Sequence, residues 1–432
     1  MATLTLFNPN DMENKPNDME NKTDNKDSPK LFGLTIKSNC NNELNYIPQP
    51  PACKKTEVCE TIKCDPLEEI GIQLKEINNI QEPKLLGTGG MNAVVDITYD
   101  NELPLALRLT TKRTLGIKEN ESVGLLYQTK LSKSIEEGGY GCPYIAKVYD
   151  FGEYTGDFNK NVEIERENKI IKEKLEIPKE GVYGILEKLP QDLLDRIMVG
   201  SKFTEDDVKI MTKQILEALS CMHSNDIYHF DIKPDNIMMC DEGNQNIKLI
   251  DFGLCYTDNG QKTSNGILTK IRGTPGARYL SPGYYFRKNK LIEDKPYPID
   301  DLWSVAIVMC LILSPDGFLL TNFFPGTWDV ATFTRRYIKH DGTYTSTTGI
   351  TYSKQCIDFI EKIFNTVNSE KKPTETFTTL TADKLLEDPW FQEVKEIKGG
   401  KSKRKRRHKR KTKRRSQKFR GKRNKNTWSK NK

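Results

Sequence analysis

The chain has 432 residues, 36% of them hydrophobic and 29% charged, with a formal net charge of +7. That length holds one large domain or two ordinary ones with tails, and the low apolar share predicts sizeable segments without a packed core. The longest apolar run, "LWSVAIVMCLIL" at 302–313, is too short to span a bilayer, and the start shows no charged region followed by an apolar stretch, so neither a membrane partner nor secretion is expected.

The ten Cys are scattered, with no Cys-x-x-Cys pair even where Cys53, Cys59 and Cys64 lie near one another. Reduced thiols are expected rather than a zinc site, and a reducing compartment follows. The net charge is split. Residues 401–432 hold 19 Lys plus Arg and no acid, so with +7 for the whole chain the other 400 residues carry −12. An acidic body carries a basic tail.

Residues 1–66 are rich in Asn, Asp, Lys and Pro, and "PNDMENK" occurs in tandem at 9–15 and 16–22. One Met per repeat cannot seam a coiled coil, so a disordered, low-complexity segment is expected. Order is expected from near Leu67. "KLLGTGGMNAVVDITY" (84–99) reads as strand, Gly-rich turn, strand. "LPLALRLT" (103–110) alternates, with Leu103, Leu105, Leu107 and Leu109 on one face and Ala106, Arg108 and Thr110 on the other. "ESVGLLYQTKL" (121–131) predicts a helix, "YIAKVYDFGEY" and "VYGILEKL" (182–189) two more strands, and the charged stretch 155–180 between them a surface insertion.

After Gly200 the pattern turns helical. Val208, Met211, Ile215, Leu219 and Met222 make one apolar stripe, Thr204 and Asp207 suit a capping box, and Phe203 with Val208 suits a hydrophobic staple. A short hairpin follows in "NIMMCDEGNQNIKLIDFG", then helices over 301–313, 355–364 and 381–387. Strands first and helices later predict an α+β fold in two lobes with a cleft between them.

Four motifs fill that cleft. Gly87-Thr88-Gly89-Gly90-Met91-Asn92-Ala93-Val94 is a Gly-rich turn whose amides can approach phosphate oxygens. Arg108 shares a strand face with Ala106. "YHFDIKPDN" (228–236) holds Asp231, Lys233 and Asn236, and Asp251-Phe252-Gly253 follows twenty residues after Asp231. In this order the motifs resemble a eukaryotic-type serine/threonine protein kinase domain over about 80–391, with a β-rich N-lobe (80–190), a helical C-lobe (191–391) and a basic disordered tail at 398–432. Bias toward Asn and Lys with the "GGKSKRKRR" tail is similar in style to proteins of large DNA viruses.

The resemblance implies the following roles. Gly87 to Val95 cover ATP, Val94 and Ala106 sandwich the adenine, and Glu187 and Leu189 complete the ATP site. Arg108 stands where the family has a phosphate-holding Lys, and Gln128 aligns with the acidic partner of that Lys; Glu121 is the less favoured alternative. Asp231 orients or deprotonates the acceptor hydroxyl, Lys233 holds the γ-phosphate, and Asn236 and Asp251 bind Mg²⁺. Lys233, with Thr274 in the substrate loop, is the serine/threonine form. His229 braces the loop. Phe230 replaces an Arg that receives an activation-loop phosphate, so ordering by that phosphate is not expected. Ser281-Pro282-Gly283 stands for the family's Ala-Pro-Glu, and Lys372 for the Arg that pairs with it. Asp301 supports the catalytic loop.

The implied activity is transfer of the ATP γ-phosphoryl group to Ser or Thr of protein substrates. Two alternatives remain: a pseudokinase that binds ATP with little turnover, favoured by Arg108 and Gln128, and a nucleic-acid-binding protein acting through residues 401–432. The tail can also serve as a nuclear signal or dock an acidic protein. The expected location is intracellular, in the cytoplasm or nucleus of a host cell or with a virion.

Overall fold

The computed structural model describes residues 29–39, 67, 71–89, 91–100, 103–111, 115–166, 169–241, 243, 245–257, 297–313, 344–345, 350–368 and 380–392. All of them belong to one compact unit, Met1–Glu393; a second unit is Val394–Lys432.

The small lobe is built on an antiparallel sheet. Its strands are β1 (Lys30–Leu31), β2 (Leu34–Ser38), β3 (Leu85–Thr88), β4 (Asn92–Asp96), β5 (Leu105–Thr110), β6 (Val148–Thr155) and β9 (Glu180–Glu187). They run in the order β1-β2-β6-β9-β5-β4-β3. Helix α1 (Leu74–Asn79) lies on one face and α2 (Leu115–Ser132) on the other. The alternation read in 103–110 sets these faces. Leu105, Leu107 and Leu109 join Ala93 and Val95 in the core under α1, while Leu125 and Leu126 of α2 pack on Val148, Phe151 and Val182.

Two sequence expectations change here. Part of the segment expected to be disordered is ordered: Leu31, Phe32, Leu34 and Ile36 are buried in the α1-side core. β2 adds to the free edge of β6, pairing Ile36 with Tyr154 and Ser38 with Gly152. A Cβ on Gly152 would sit 2.0 Å from the Lys37 carbonyl oxygen, so only Gly permits this approach. The insertion 155–180 is a two-stranded ribbon, β7 (Asn161–Arg166) with β8 (Lys169–Lys174). Its buried Val162 closes over the α1-side core, and the Glu163 amide donates to Pro83 O at 3.0 Å.

The large lobe contains β10 (Gln191–Asp192), α3 (Leu193–Met198), α4 (Glu205–Ser224), β11 (Ile227–Tyr228), β12 (Ile237–Met239), β13 (Ile247–Leu249), α5 (Pro298–Leu313), α6 (Lys354–Asn368), α7 (Ala382–Leu386) and α8 (Pro389–Gln392). The capping box of α4 is present, with the Asp207 amide donating to Thr204 Oγ1 at 3.2 Å and the Thr204 amide to Asp207 Oδ2 at 2.9 Å. Phe203 and Val208 are both buried beside it. α5 is buried from Ile299 to Leu313, which explains its unbroken apolar sequence. Among the described residues no helix is long and apolar enough to cross a membrane. Cys142, in the loop after α2, is disulfide-bonded to Cys221 of α4, contrary to the expectation of reduced thiols. The pair is 79 residues apart in sequence, and only the packing of that loop on α4 brings it together.

Candidate functional site

The loop 228–236 is held from beneath by α5. Asp301 Oδ1 accepts the Phe230 amide at 2.8 Å, and its Oδ2 accepts the His229 amide and His223 Nε2, each at 2.9 Å. Phe230 adopts φ +60°, a left-handed conformation that these bonds hold in place. The fully buried His229 ring accepts the Asp231 amide at Nδ1 (3.3 Å) and donates from Nε2 to Ile250 O (3.1 Å), so it links the loop to the segment that leads from β13 to Asp251.

Asp231 is therefore aimed, not loose. Its Oδ2 accepts from Lys233 Nζ and from Asn236 Nδ2, both at 2.8 Å, and Asn236 Nδ2 also donates to Asp231 O at 2.9 Å. Its Oδ1 is buried and has no hydrogen-bond partner. Burial pushes the carboxyl above its ordinary range; Lys233 opposes this and Asp251 adds to it. Lys233 is also raised: burial would lower it, but the attraction of Asp231, with Asp251 and Asp235 adding to it, outweighs that.

Arg108 reaches across the cleft. Its Nη2 lies 2.7 Å from Glu121 Oε2 on α2 and 2.8 Å from Asp251 Oδ1. Burial would raise Asp251, but Arg108, Lys233 and His229 outweigh it and hold the carboxyl down at about 2. Glu121 goes the other way. Its burial dominates, Asp251 adds to the rise, and Arg108 and Asn92 only partly offset it. The acid facing Arg108 is thus Glu121 and not Gln128. Gln128 is buried two turns further along α2, where its Nε2 donates to Ala146 O at 3.0 Å. Gly124 seats the helix on the same motif: a Cβ there would lie 2.7 Å from Phe252 O.

The remaining expected ATP contacts divide by face. Gly87, Thr88 and Gly89 are exposed in the β3–β4 hairpin, which the Gly89 amide closes by donating to Asn92 O at 2.7 Å, with Met91 in its turn. Val94 pairs with Arg108, and Ala106 with Asp96, so these residues share the cleft face. Ala93 and Val95 turn away into the α1-side core, which corrects their placement as nucleotide contacts through side chains. The Glu187 carboxylate takes Lys248 Nζ at 2.6 and 2.7 Å and the Lys147 amide at 3.1 Å, a bridge between the lobes. Leu189 is half-buried just beyond β9. Gly90, Thr274, Ser281 to Gly283, Lys372 and the tail lie outside the described residues.

Residues 82–391 match the model of the protein kinase domain family. The chain belongs to that family. The kinase domain is 32% identical over 138 residues to calcium/calmodulin-dependent protein kinase type 1 of Caenorhabditis briggsae, covering 31% of this chain and 35% of the relative. It is 26% identical over 223 residues to calcium/calmodulin-dependent serine/threonine-protein kinase 1 of rice, Oryza sativa subsp. japonica, covering 51% of this chain and 32% of the relative. These matches span about a third of the curated relatives' length. A solved structure of Rad53 1-466 in complex with AMP-PNP is similar at a TM-score of 0.42 and 20% identity, over 71% of this chain and 64% of that one.

Sequence reasoning assigned Asp231, Lys233, Asn236 and Asp251 to one site, and the kinase domain gathers them with Arg108 around the cleft. The sequence favoured Gln128 over Glu121 as the partner of Arg108, and the structure reverses that order. Sequence reasoning missed His223, for which the sequence offered no signal beyond its position at the end of α4.

Proposed function

We propose that this chain transfers the γ-phosphoryl group of ATP, with Mg²⁺, to Ser or Thr hydroxyls of protein substrates. The observation that carries this reading is Asp231. One carboxylate oxygen is fixed by Lys233 and Asn236 while the other is buried with no partner, and an acceptor hydroxyl is the donor that fits it. The raised pKa of Asp231 makes it a better proton acceptor than an exposed Asp. Membership in the family and the relatives named as serine/threonine kinases support the same reaction.

The donor set fits a hard cation. Asp251 stays ionised, and Asn236 commits Nδ2 to Asp231, so its Oδ1 is the atom that would meet a metal. Asn236 and Asp251 would hold Mg²⁺, which would supply positive charge against the charge that develops on the transferred phosphoryl group. Lys233 offers a cation beside the proton acceptor, and Arg108 a cation on the strand face shared with Val94 and Ala106. The work is positioning and charge stabilisation.

Asp231→Ala and Asp251→Ala are each expected to lower phosphotransfer at least about a hundredfold, the scale of a lost general base or phosphate clamp. Folding should persist. Radiolabelled ATP with a basic or acidic model protein measures this, and wild-type turnover in both variants would overturn the assignment. A wild type that binds ATP without turnover would instead be a nucleotide-binding scaffold.

A separable reading concerns the tail. Its 19 cations without an acid support binding to nucleic-acid phosphates.

A further inference from the structure

Asn92 stands where the Gly-rich pattern of the family has its third Gly, and the structure gives that side chain a contact no Gly could make. Asn92 Nδ2 donates to Glu121 Oε1 at 3.0 Å. The other oxygen of the same carboxylate takes Arg108 Nη2 at 2.7 Å, and that nitrogen also reaches Asp251 Oδ1 at 2.8 Å. Four residues from four segments, β4, α2, β5 and the Asp-Phe-Gly turn, form one polar chain whose two central members are buried and whose ends, Asn92 and Asp251, are half-buried. Glu121 and Arg108 are only 4% and 8% exposed, so little water is available to replace a lost partner.

The orientation of the amide is settled by its partner, since a carboxylate accepts and cannot face Oδ1. The hairpin is fixed on both sides of this contact. Gly89 N closes the turn onto Asn92 O, and Asn92 pairs with Thr110 across to β5. The side chain therefore ties a hairpin, not a floppy loop, to the helix. Packing of Gly124 against Phe252, less than one helical turn further on, keeps the same stretch of α2 against the metal-binding turn.

We infer that Asn92 is a positioning residue, a latch that ties the Gly-rich hairpin to helix α2 through Glu121 and thereby holds Arg108 and Asp251 in register. This rests on the phosphotransfer reading for its effect on rate. It has an unusual consequence. Replacing Asn92 by the Gly of the family pattern should impair this kinase instead of improving it.

The test uses the full chain and four proteins: wild type, Asn92→Gly, Asn92→Asp and the swap Asn92→Asp with Glu121→Gln. Asn92→Gly removes one hydrogen bond to a charged group and should lower kcat about tenfold, with KM for ATP changing less. Asn92→Asp sets two carboxylates face to face and should lower kcat further. The swap exchanges donor and acceptor and should recover part of that loss, which a merely structural role for Asn92 would not predict. Amide exchange supplies a readout free of activity: in Asn92→Gly the helix 115–132, untouched in sequence, should exchange faster. Wild-type kcat in Asn92→Gly, no recovery in the swap, or unchanged exchange in the helix would each overturn the latch. If wild type itself shows no turnover, the phosphotransfer reading fails, and the exchange result alone then decides the latch.

Discussion

Asp301 shows how a single buried carboxylate organises the catalytic loop. Burial alone would raise its pKa, but the hydrogen bond and charge of His223, together with the His229 amide, hold it below the ordinary 3.8. The folded value lies under the unfolded one. The ionised carboxylate therefore stabilises the protein above about pH 4, and that contribution is lost as pH falls through the folded value. Asp301→Asn should lose roughly 1–3 kcal/mol at neutral pH, because an amide cannot accept three donors. Its stability should also vary less than wild type between about pH 5 and pH 3, measured by denaturant unfolding. An equal pH dependence in both proteins would refute this role. At this scale the sequence was most legible where a motif is short. Asp231, Lys233 and Asn236 are fixed by local spacing, whereas Glu121 was not. Glu121 and Gln128 are seven residues apart, close to two helical turns, so both lie on one face of α2 and periodicity cannot choose between them. About 10 Å along the axis separates them, and the length of chain between β5 and α2 decides which one faces Arg108.

Elements were legible in proportion to the strength of their period. The stripe and capping box of α4 were visible because a helix of 20 residues repeats its pattern several times. β2, with five residues, repeats it twice within a stretch biased toward Asn and Lys, and its reason to form is the edge of β6, a partner more than a hundred residues away. The ribbon β7–β8 was obscured by charge, since its burial rests largely on Val162. α2 illustrates the converse. The sequence showed a helix there but not that Gly124 is its seat on the Asp-Phe-Gly turn. Gly124→Ala places a Cβ 2.7 Å from Phe252 O and 2.8 Å from Gly253 N, both backbone atoms that cannot swing aside. Within a helix Ala is ordinarily better than Gly by up to about 1 kcal/mol. Here overpacking of about 1–3 kcal/mol should win. The variant should melt below wild type and lose phosphotransfer about tenfold or more as Glu121 is displaced. A higher melting temperature with full activity would show that α2 seats elsewhere.

At the scale of the whole molecule, two features can be tested. The first is covalent. The Cys142–Cys221 bond closes a long loop from the end of α2 to α4. In the chain-entropy view a loop of this length is worth up to about 4 kcal/mol, so a thiol reductant should lower the melting temperature of wild type and leave Cys142→Ser with Cys221→Ser unchanged. The second is the charge split, −12 over residues 1–400 against +19 over residues 401–432. If the tail binds nucleic acid, affinity for duplex DNA should fall linearly with log salt, by about 0.9 for each phosphate engaged. Removing 401–432 should then flatten that dependence and weaken binding by orders of magnitude at low salt. The acidic body left behind would repel the duplex. Phosphotransfer to a short neutral peptide should change little, because Asp231, Arg108 and their partners all lie in the unit Met1–Glu393. The measurement is a DNA titration at several salt concentrations, with full-length and truncated protein side by side. Equal affinities with equal slopes would remove nucleic acid from the list of partners and leave the tail to be tested against acidic proteins.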